Sequence, residues 1–302
     1  MSERRPSKLA ALVMGARPRT LPAAAAPVVV GAAVACHAGG FRAVTALAAL
    51  FGGLMIQIGV NFANDVQDFE SGADDERRVG PTRVAAAGLL APREVKLAAI
   101  VSFALAALAG VHLIAVGGWP ILAIGVASIV CGYAYTGGPF PLAHHGLADL
   151  FVMIFFGFAA VCGTVWAQMR ALPPLALWSS LAVGSLVTMI LVVNNVRDVE
   201  SDRRAGRRTL PVVLGRTAGV VEYGALALAA FLVPPLLVLA DAAPAWTLLT
   251  LGSLPSAARL TRRLATEQGP PLNGVLAATG RLLLLYAVLF SAGLVLGRPA
   301  AR

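Results

Sequence analysis

At 302 residues, 58% of them hydrophobic and only 13% charged, with a mean hydropathy of +0.79, the chain carries about half the charge of an ordinary soluble domain, so its solvent is the bilayer. The net charge of +9 does not point to nucleic acid, because the arginines alternate with apolar stretches and line no single face. Cys36, Cys131 and Cys162 lie far apart inside apolar runs, which excludes both a disulfide framework and a C-x-x-C metal site.

Basic residues open the chain, and the tail through residue 16 is short. The apolar stretch 21–38 that follows is similar to a signal peptide, down to the lipoprotein-like Ala33-Val34-Ala35-Cys36. The many spans beyond it, with no soluble domain to export, argue against cleavage. Windows of about 20 apolar residues predict further helices near 43–64, 95–115, 118–136, 147–168, 175–196, 219–240, 244–261 and 275–296. The expected fold is therefore all-α: one domain over 1–302, an integral membrane bundle of nine transmembrane helices with no nucleic-acid partner. With the N-terminus inside, 20 of the 24 Lys and Arg residues fall on cytoplasmic connections. That asymmetry is what the positive-inside rule demands of a multi-pass protein of the cell inner membrane, and it turns both acidic segments described next toward the cytoplasm.

Two polar islands interrupt the apolar pattern. The first, Asn61 to Arg83, reads NFANDVQDFESGADDERRVGPTR; the second, Asn194 to Arg208, reads NNVRDVESDRRAGRR and repeats the plan 130 positions later, with Asn64 falling on Asn194 and Asp68 on Asp198. Such an offset suggests an internal pseudo-repeat and two halves of one site. Nine of the 15 acidic residues lie in these islands, at helix C-termini where the macrodipole disfavours carboxylates and a cation must offset them. Asp65 and Asp68 are three residues apart, Asp198 and Asp202 four, so each pair shares a face of any helix that runs through it. With the carbonyls of Asn64 and Asn195 they form an oxygen-only donor set, which selects a hard cation, Mg²⁺ in particular. The arginines that follow, Arg77, Arg78 and Arg83 in the first island and Arg207 and Arg208 in the second, match phosphate oxygens with their forks. Acids for Mg²⁺ and arginines for phosphate, at the mouth of a membrane protein, imply a lipid diphosphate whose tail lies between helices. A solvated mixed-charge loop explains one island but not two in register. A cation-coupled transporter would need ionisable residues near the bilayer midplane, and the span interiors are nearly free of them.

Asn64-Asp65-x-x-Asp68 paired with Asp198-x-x-x-Asp202 resembles the two Asp-rich motifs of the UbiA superfamily of intramembrane prenyltransferases. The resemblance also covers Arg17-Pro18-Arg19-Thr20-Leu21, Arg78-Val79-Gly80-Pro81-Thr82-Arg83, Thr136-Gly137-Gly138-Pro139 and Asn194-Asn195-x-Arg197-Asp198. The last three of these segments are similar to the branch that uses 1,4-dihydroxy-2-naphthoate as acceptor in menaquinone and phylloquinone synthesis. Val66 and Gln67 replace the aromatic residues usual after the first Asn-Asp, and His144 stands where a tyrosine is expected. The resemblance implies transfer of a polyprenyl group from polyprenyl diphosphate to the naphthoate with loss of diphosphate and CO₂. It implies two Mg²⁺ on Asp65, Asp68, Asp198 and Asp202, and acceptor contacts from Arg17, Tyr135, His145 and Asp149. Another acceptor, such as 4-hydroxybenzoate, is the nearest alternative. Asp149 also has a plain reading, as a carboxylate at a helix N-terminus.

Overall fold

The computed structural model describes residues 6–70, 83–134 and 146–297, and within them the chain is helical throughout, with no strand. Twelve α-helices follow in order: α1 (Lys8–Ala16), α2 (Pro22–His37), α3 (Ala43–Glu70), α4 (Pro92–Gly117), α5 (Trp119–Ala134), α6 (Ala148–Met169), α7 (Pro174–Arg197), α8 (Val199–Arg204), α9 (Leu210–Leu214), α10 (Arg216–Leu239), α11 (Leu254–Thr266) and α12 (Leu272–Leu296). Among the described residues α3, α4, α6, α7, α10 and α12 are long and apolar enough to cross a membrane. The bent pair Lys8–Thr20 and Pro22–His37, angled at 55°, makes a seventh if counted as one span. All nine apolar segments expected from the sequence are thus helical where they are described, but among the described residues three do not qualify by length. Trp119–Ala134 has 16 residues, 22–37 is one arm of the bent pair, and 245–266 divides into a 3₁₀ stretch, Ala245–Ser253, followed by α11.

Local chemistry accounts for the boundaries. Ser7 caps α1 by accepting the Ala10 N–H, and proline opens α2, α4 and α7 within the first turn, where its missing donor costs nothing. Glu94 turns back to accept the Ala91 N–H at 2.9 Å while Lys8 of α1 reaches it at 2.6 Å. Gly215, at φ +88°, makes the reversal into α10 that a side chain would resist. The guanidinium of Arg216 then donates to the carbonyls of Leu264, Ala265 and Glu267, closing the C-terminal end of α11.

The central helix is α7, buried along most of its length and packed against α10, α12, α2 and α6. Its neighbours pair their buried hydroxyls: Tyr223 of α10 with Thr279 of α12 at 2.9 Å, and Tyr286 of α12 donating to the Ala230 carbonyl at 2.8 Å. The outer surface is greasy, with Leu108, Val111, Trp119 and Leu239 each more than 60% exposed, as a lipid-facing surface requires. Two departures from α geometry matter below. Met153–Ala159 within α6 is π-helical, and there Gly157 crosses α7 so closely that a methyl on it would lie 2.9 Å from the Gly184 Cα. The 3₁₀ stretch aligns Thr247, Thr250 and Ser253 on one buried face, each hydroxyl donating to the carbonyl three residues back.

Candidate active site

The first island grows from the C-terminal turns of α3. Helical repeat places Asn61, Asp65 and Asp68 on one buried face. Asn61 donates to the Ala16 carbonyl at 2.9 Å and the Thr20 hydroxyl at 3.0 Å, which seats the elbow between α1 and α2 where Arg17 holds φ +51°. Asp65 is fully buried, and its two carboxylate oxygens accept the backbone N–H groups of Val84 and Ala85, both at 3.0 Å; Arg17 approaches to 3.9 Å. This carboxylate therefore anchors the chain as it returns from the first island. Asp68, 3% exposed, is paired with the Arg83 guanidinium, whose other arm donates to the Asn64 carbonyl at 2.6 Å.

The second island begins where α7 stops. Asp198 caps α7, and the helix breaks there before α8 resumes, so Asp198 and Asp202 do not lie on one continuous helix. Arg197 grips Asp198 with two bonds, 2.7 and 2.6 Å, and donates its remaining nitrogen to Asn273 Oδ1 at 2.8 Å, fixing the end of α7 to the start of α12. Asp202 is buried on α8, and removal from water, with Asp198 nearby, pushes its carboxyl up to about 6 against the opposing pull of Arg207. Arg207 lies 3.3 Å from Asp202 Oδ1 and 3.8 Å from Asp68 Oδ1, so one guanidinium joins the two islands. Asn195 donates to Asp149 at the start of α6, at 3.4 Å.

The structure thus gathers Asp68, Asp198, Asp202, Arg83 and Arg207 at one end of the bundle, with Asn64, Asn195 and Asp149 at the edge of the group. Asp65 stands behind them against the Val84 and Ala85 amides, and Arg208 is exposed. Arg77, Arg78, Tyr135 and His145 lie outside the described residues. Sequence reading assigned no role to Arg197 or Asn273; Arg197 sits inside the Asn-Asn-x-Arg-Asp run, but Asn273 is 76 positions away and carries no local signal. Among the described residues no three acidic, His or Cys side chains stand together as a ready metal cage. Arginines occupy the space between the acids.

Beside the cluster opens a cavity of about 520 Å³, walled by α2 to α6 and almost entirely apolar; Arg17, Asn61, Asn64 and Asn194 form its polar end. An anionic head at the arginines and a long apolar tail in the cavity is the ligand such an arrangement accommodates.

Residues 24–273 match the model of the UbiA prenyltransferase family. The chain belongs to the UbiA prenyltransferase family. This UbiA member is 38% identical over 288 residues to the 1,4-dihydroxy-2-naphthoate octaprenyltransferase of Mycobacterium tuberculosis, covering 95% of this chain and 97% of the relative. It is 33% identical to the enzyme of the same name from Escherichia coli, over the full length of both. Among solved structures, its fold is similar to a UbiA homologue from Archaeoglobus fulgidus bound to GPP and Mg²⁺, with TM-score 0.65 at 15% identity over 94% of this chain and 99% of that one. It also resembles a UbiA homologue from Aeropyrum pernix, with TM-score 0.68 at 15% identity over 92% and 97%.

Proposed function

We propose that this UbiA-family protein transfers a polyprenyl group from its diphosphate to 1,4-dihydroxy-2-naphthoate, releasing diphosphate and CO₂ and giving demethylmenaquinol. One observation carries the reading: Arg207 joins Asp68 of the first island to Asp202 of the second beside a long apolar cavity, so acids, phosphate-type cations and tail space converge. The naphthoate acceptor is supported by relatives named for that reaction at 30–38% identity across nearly the whole chain. Nine helical crossings with the arginine-rich connections inside would set this site at the cytoplasmic face of the inner membrane.

The donor set fits Mg²⁺: it is oxygen-only and acidic, with Asp68, Asn195 and Asp202 buried, Asn64 and Asp198 half-buried, and Asp198 at the negative end of the α7 dipole. Asp68, Asp198 and Asp202, with Asn64 and Asn195 beside them, would hold the metal, and two ions are expected, whereas Asp65 supports the set from behind. The metal would neutralise charge that grows on the leaving diphosphate. Arg207, which bridges Asp68 and Asp202, would then be free to turn its guanidinium to diphosphate oxygens. Arg83, Arg207 and Arg208, with Arg77 and Arg78, bind the diphosphate as the allylic C–O bond breaks and its electron pair leaves with oxygen. The ring carbon bearing the carboxylate attacks the allylic carbon. The bond to the carboxylate then breaks, its electrons return to the ring and CO₂ departs. The apolar walls keep water from the allylic cation. Asp149, with Arg17, Tyr135 and His145, contacts the acceptor.

The test is mass spectrometry of the product formed by purified protein from dihydroxynaphthoate, a prenyl diphosphate and Mg²⁺. The expected mass is one CO₂ below the simple adduct. Retention of the carboxylate, or preference for 4-hydroxybenzoate, overturns the acceptor assignment.

A further inference from the structure

Two glycines in the wall of the apolar cavity have no structural reason to be glycine. Gly110 lies inside α4 and Gly125 inside α5, and glycine is the poorest helix former after proline. Neither has the positive φ that excludes other residues, and a methyl group on either would meet nothing within 4 Å. Elsewhere in these helices glycine is required by packing: a methyl on Gly132 would strike Val60 at 2.5 Å, and one on Gly117 would strike Ile121 at 2.4 Å. At Gly110 and Gly125 the missing side chain only widens the cavity that both residues line.

Their positions fall at one depth. The α4–α5 turn at Gly118 places the two at matching levels on antiparallel neighbours. Gly52 of α3 faces Ala109 beside Gly110, and Gly163 of α6 faces Ile124 beside Gly125, at 3.6 and 3.3 Å from a built methyl. Gly52, Gly53 and Gly163 also line the cavity, so glycines from four helices meet at that level. The 11 residues from Gly53 to Asn64 put it roughly 17 Å from the polar end at 1.5 Å per residue, or about three to four isoprene units into a bound tail. Beyond it Trp166 donates to the Gly117 carbonyl at 2.8 Å and Arg170 to that of Val116 at 2.6 Å, stapling the α4–α5 turn to the end of α6.

Resting on the prenyl-transfer reading, we infer that Gly110 and Gly125 are specificity-determining residues: they hold the cavity open roughly 17 Å from its polar end and so set how long a prenyl tail the protein accepts. The experiment compares wild type, Gly110→Leu and Gly125→Leu in detergent with Mg²⁺ and dihydroxynaphthoate, supplying geranyl, farnesyl or octaprenyl diphosphate and reading kcat/KM for each. The expected result is turnover of geranyl diphosphate within about threefold of wild type, and a fall of about twentyfold or more with octaprenyl diphosphate. Gly125→Val and Gly125→Ala, milder fillings, should give graded intermediate ratios even if a leucine variant fails to fold. A long-to-short ratio unchanged across the series overturns the inference while leaving the transferase reading intact. No turnover by wild type at any tail length removes both.

Discussion

Replacing Asp65 by alanine should unfold part of the site rather than merely discharge it. The carboxylate is fully buried, and its two oxygens hold the Val84 and Ala85 amides at 3.0 Å each, with Arg17 at 3.9 Å. Hydrogen bonds to a charged group are worth about 1.5–3 kcal/mol each, and deleting the acceptor leaves two buried donors bare, so a loss of about 3–5 kcal/mol is expected. At roughly 2 °C per kcal/mol for a chain of this size, the melting temperature of detergent-purified Asp65→Ala should drop by about 6–10 °C. Asp68→Ala should differ in kind. Its carboxylate serves the buried Arg83 and the partly exposed Arg207, so its removal also lowers the melting temperature, and what sets it apart is a turnover about a hundredfold lower well below that temperature. The assay is a paired measurement on each variant: thermal unfolding followed by intrinsic tryptophan fluorescence, and prenyl transfer at saturating Mg²⁺. An Asp65→Ala protein that melts with wild type would show that the two amide bonds contribute nothing and that this residue is no anchor.

Further expectations concern metal, positioning and topology. Because burial raises the Asp202 carboxyl to about 6, the folded metal-free protein keeps a proton there that an unfolded chain releases near the ordinary value of 3.8. This group's contribution to metal-free stability is therefore full below about pH 4 and lost as pH rises through about 6. Mg²⁺ must displace that proton, so the half-saturating Mg²⁺ concentration should rise by about tenfold per pH unit below 6, and Asp202→Asn should remove this dependence. Asn273→Ala, which frees one arm of Arg197, should raise the Mg²⁺ requirement more than it lowers kcat at saturating metal; equal loss of both would mean that Asn273 has no part in placing Asp198. A cysteine replacing Ala205 should react with an impermeant maleimide only from the cytoplasmic side, and one replacing Ala242 only from outside; labelling of both from one face refutes the topology.

The helices were legible because membrane helices advertise themselves by apolar length, and within the described residues all nine segments read from the sequence are helical. Crossing capacity was harder to read: hydropathy does not show that 245–253 adopts a 3₁₀ path or that the first span bends at Arg17. The pairing of the islands was visible as a repeat at an offset of 130, since it rests on residue identity. What each acid touches was not. Asp65 and Asp68 look equivalent in Asn-Asp-x-x-Asp, yet a rotation of three residues on α3 sends one to backbone amides and the other to guanidinium groups. The α7 break at Asp198 defeated the expectation of one shared face, because no proline or glycine marks it; the side chain's engagement with Arg197 does. Arg197 and Asn273 meet across 76 residues, a distance over which sequence pattern carries no contact information.

The π-helical stretch in α6 solves a problem of phase. From Phe151 to Ala167 the cavity-facing residues recur every four positions in two adjacent rows, Phe151, Phe155, Ala159, Gly163 and Ala167 beside Val152, Phe156, Ala160 and Thr164. On a regular α-helix a four-residue repeat precesses by about 40° per step, so over those four steps its stripe would swing through about 160° and leave the cavity for the opposite side. Met153–Ala159 turns more slowly, at about 4.4 residues per turn, and takes back most of that rotation. The wider turn lets a single helix show one continuous wall to a tail along its whole length. Tightening the stretch to ordinary pitch without removing a residue would rotate Gly163 and Ala167 out of the wall, leaving the acidic cluster near the head of α6 where it is.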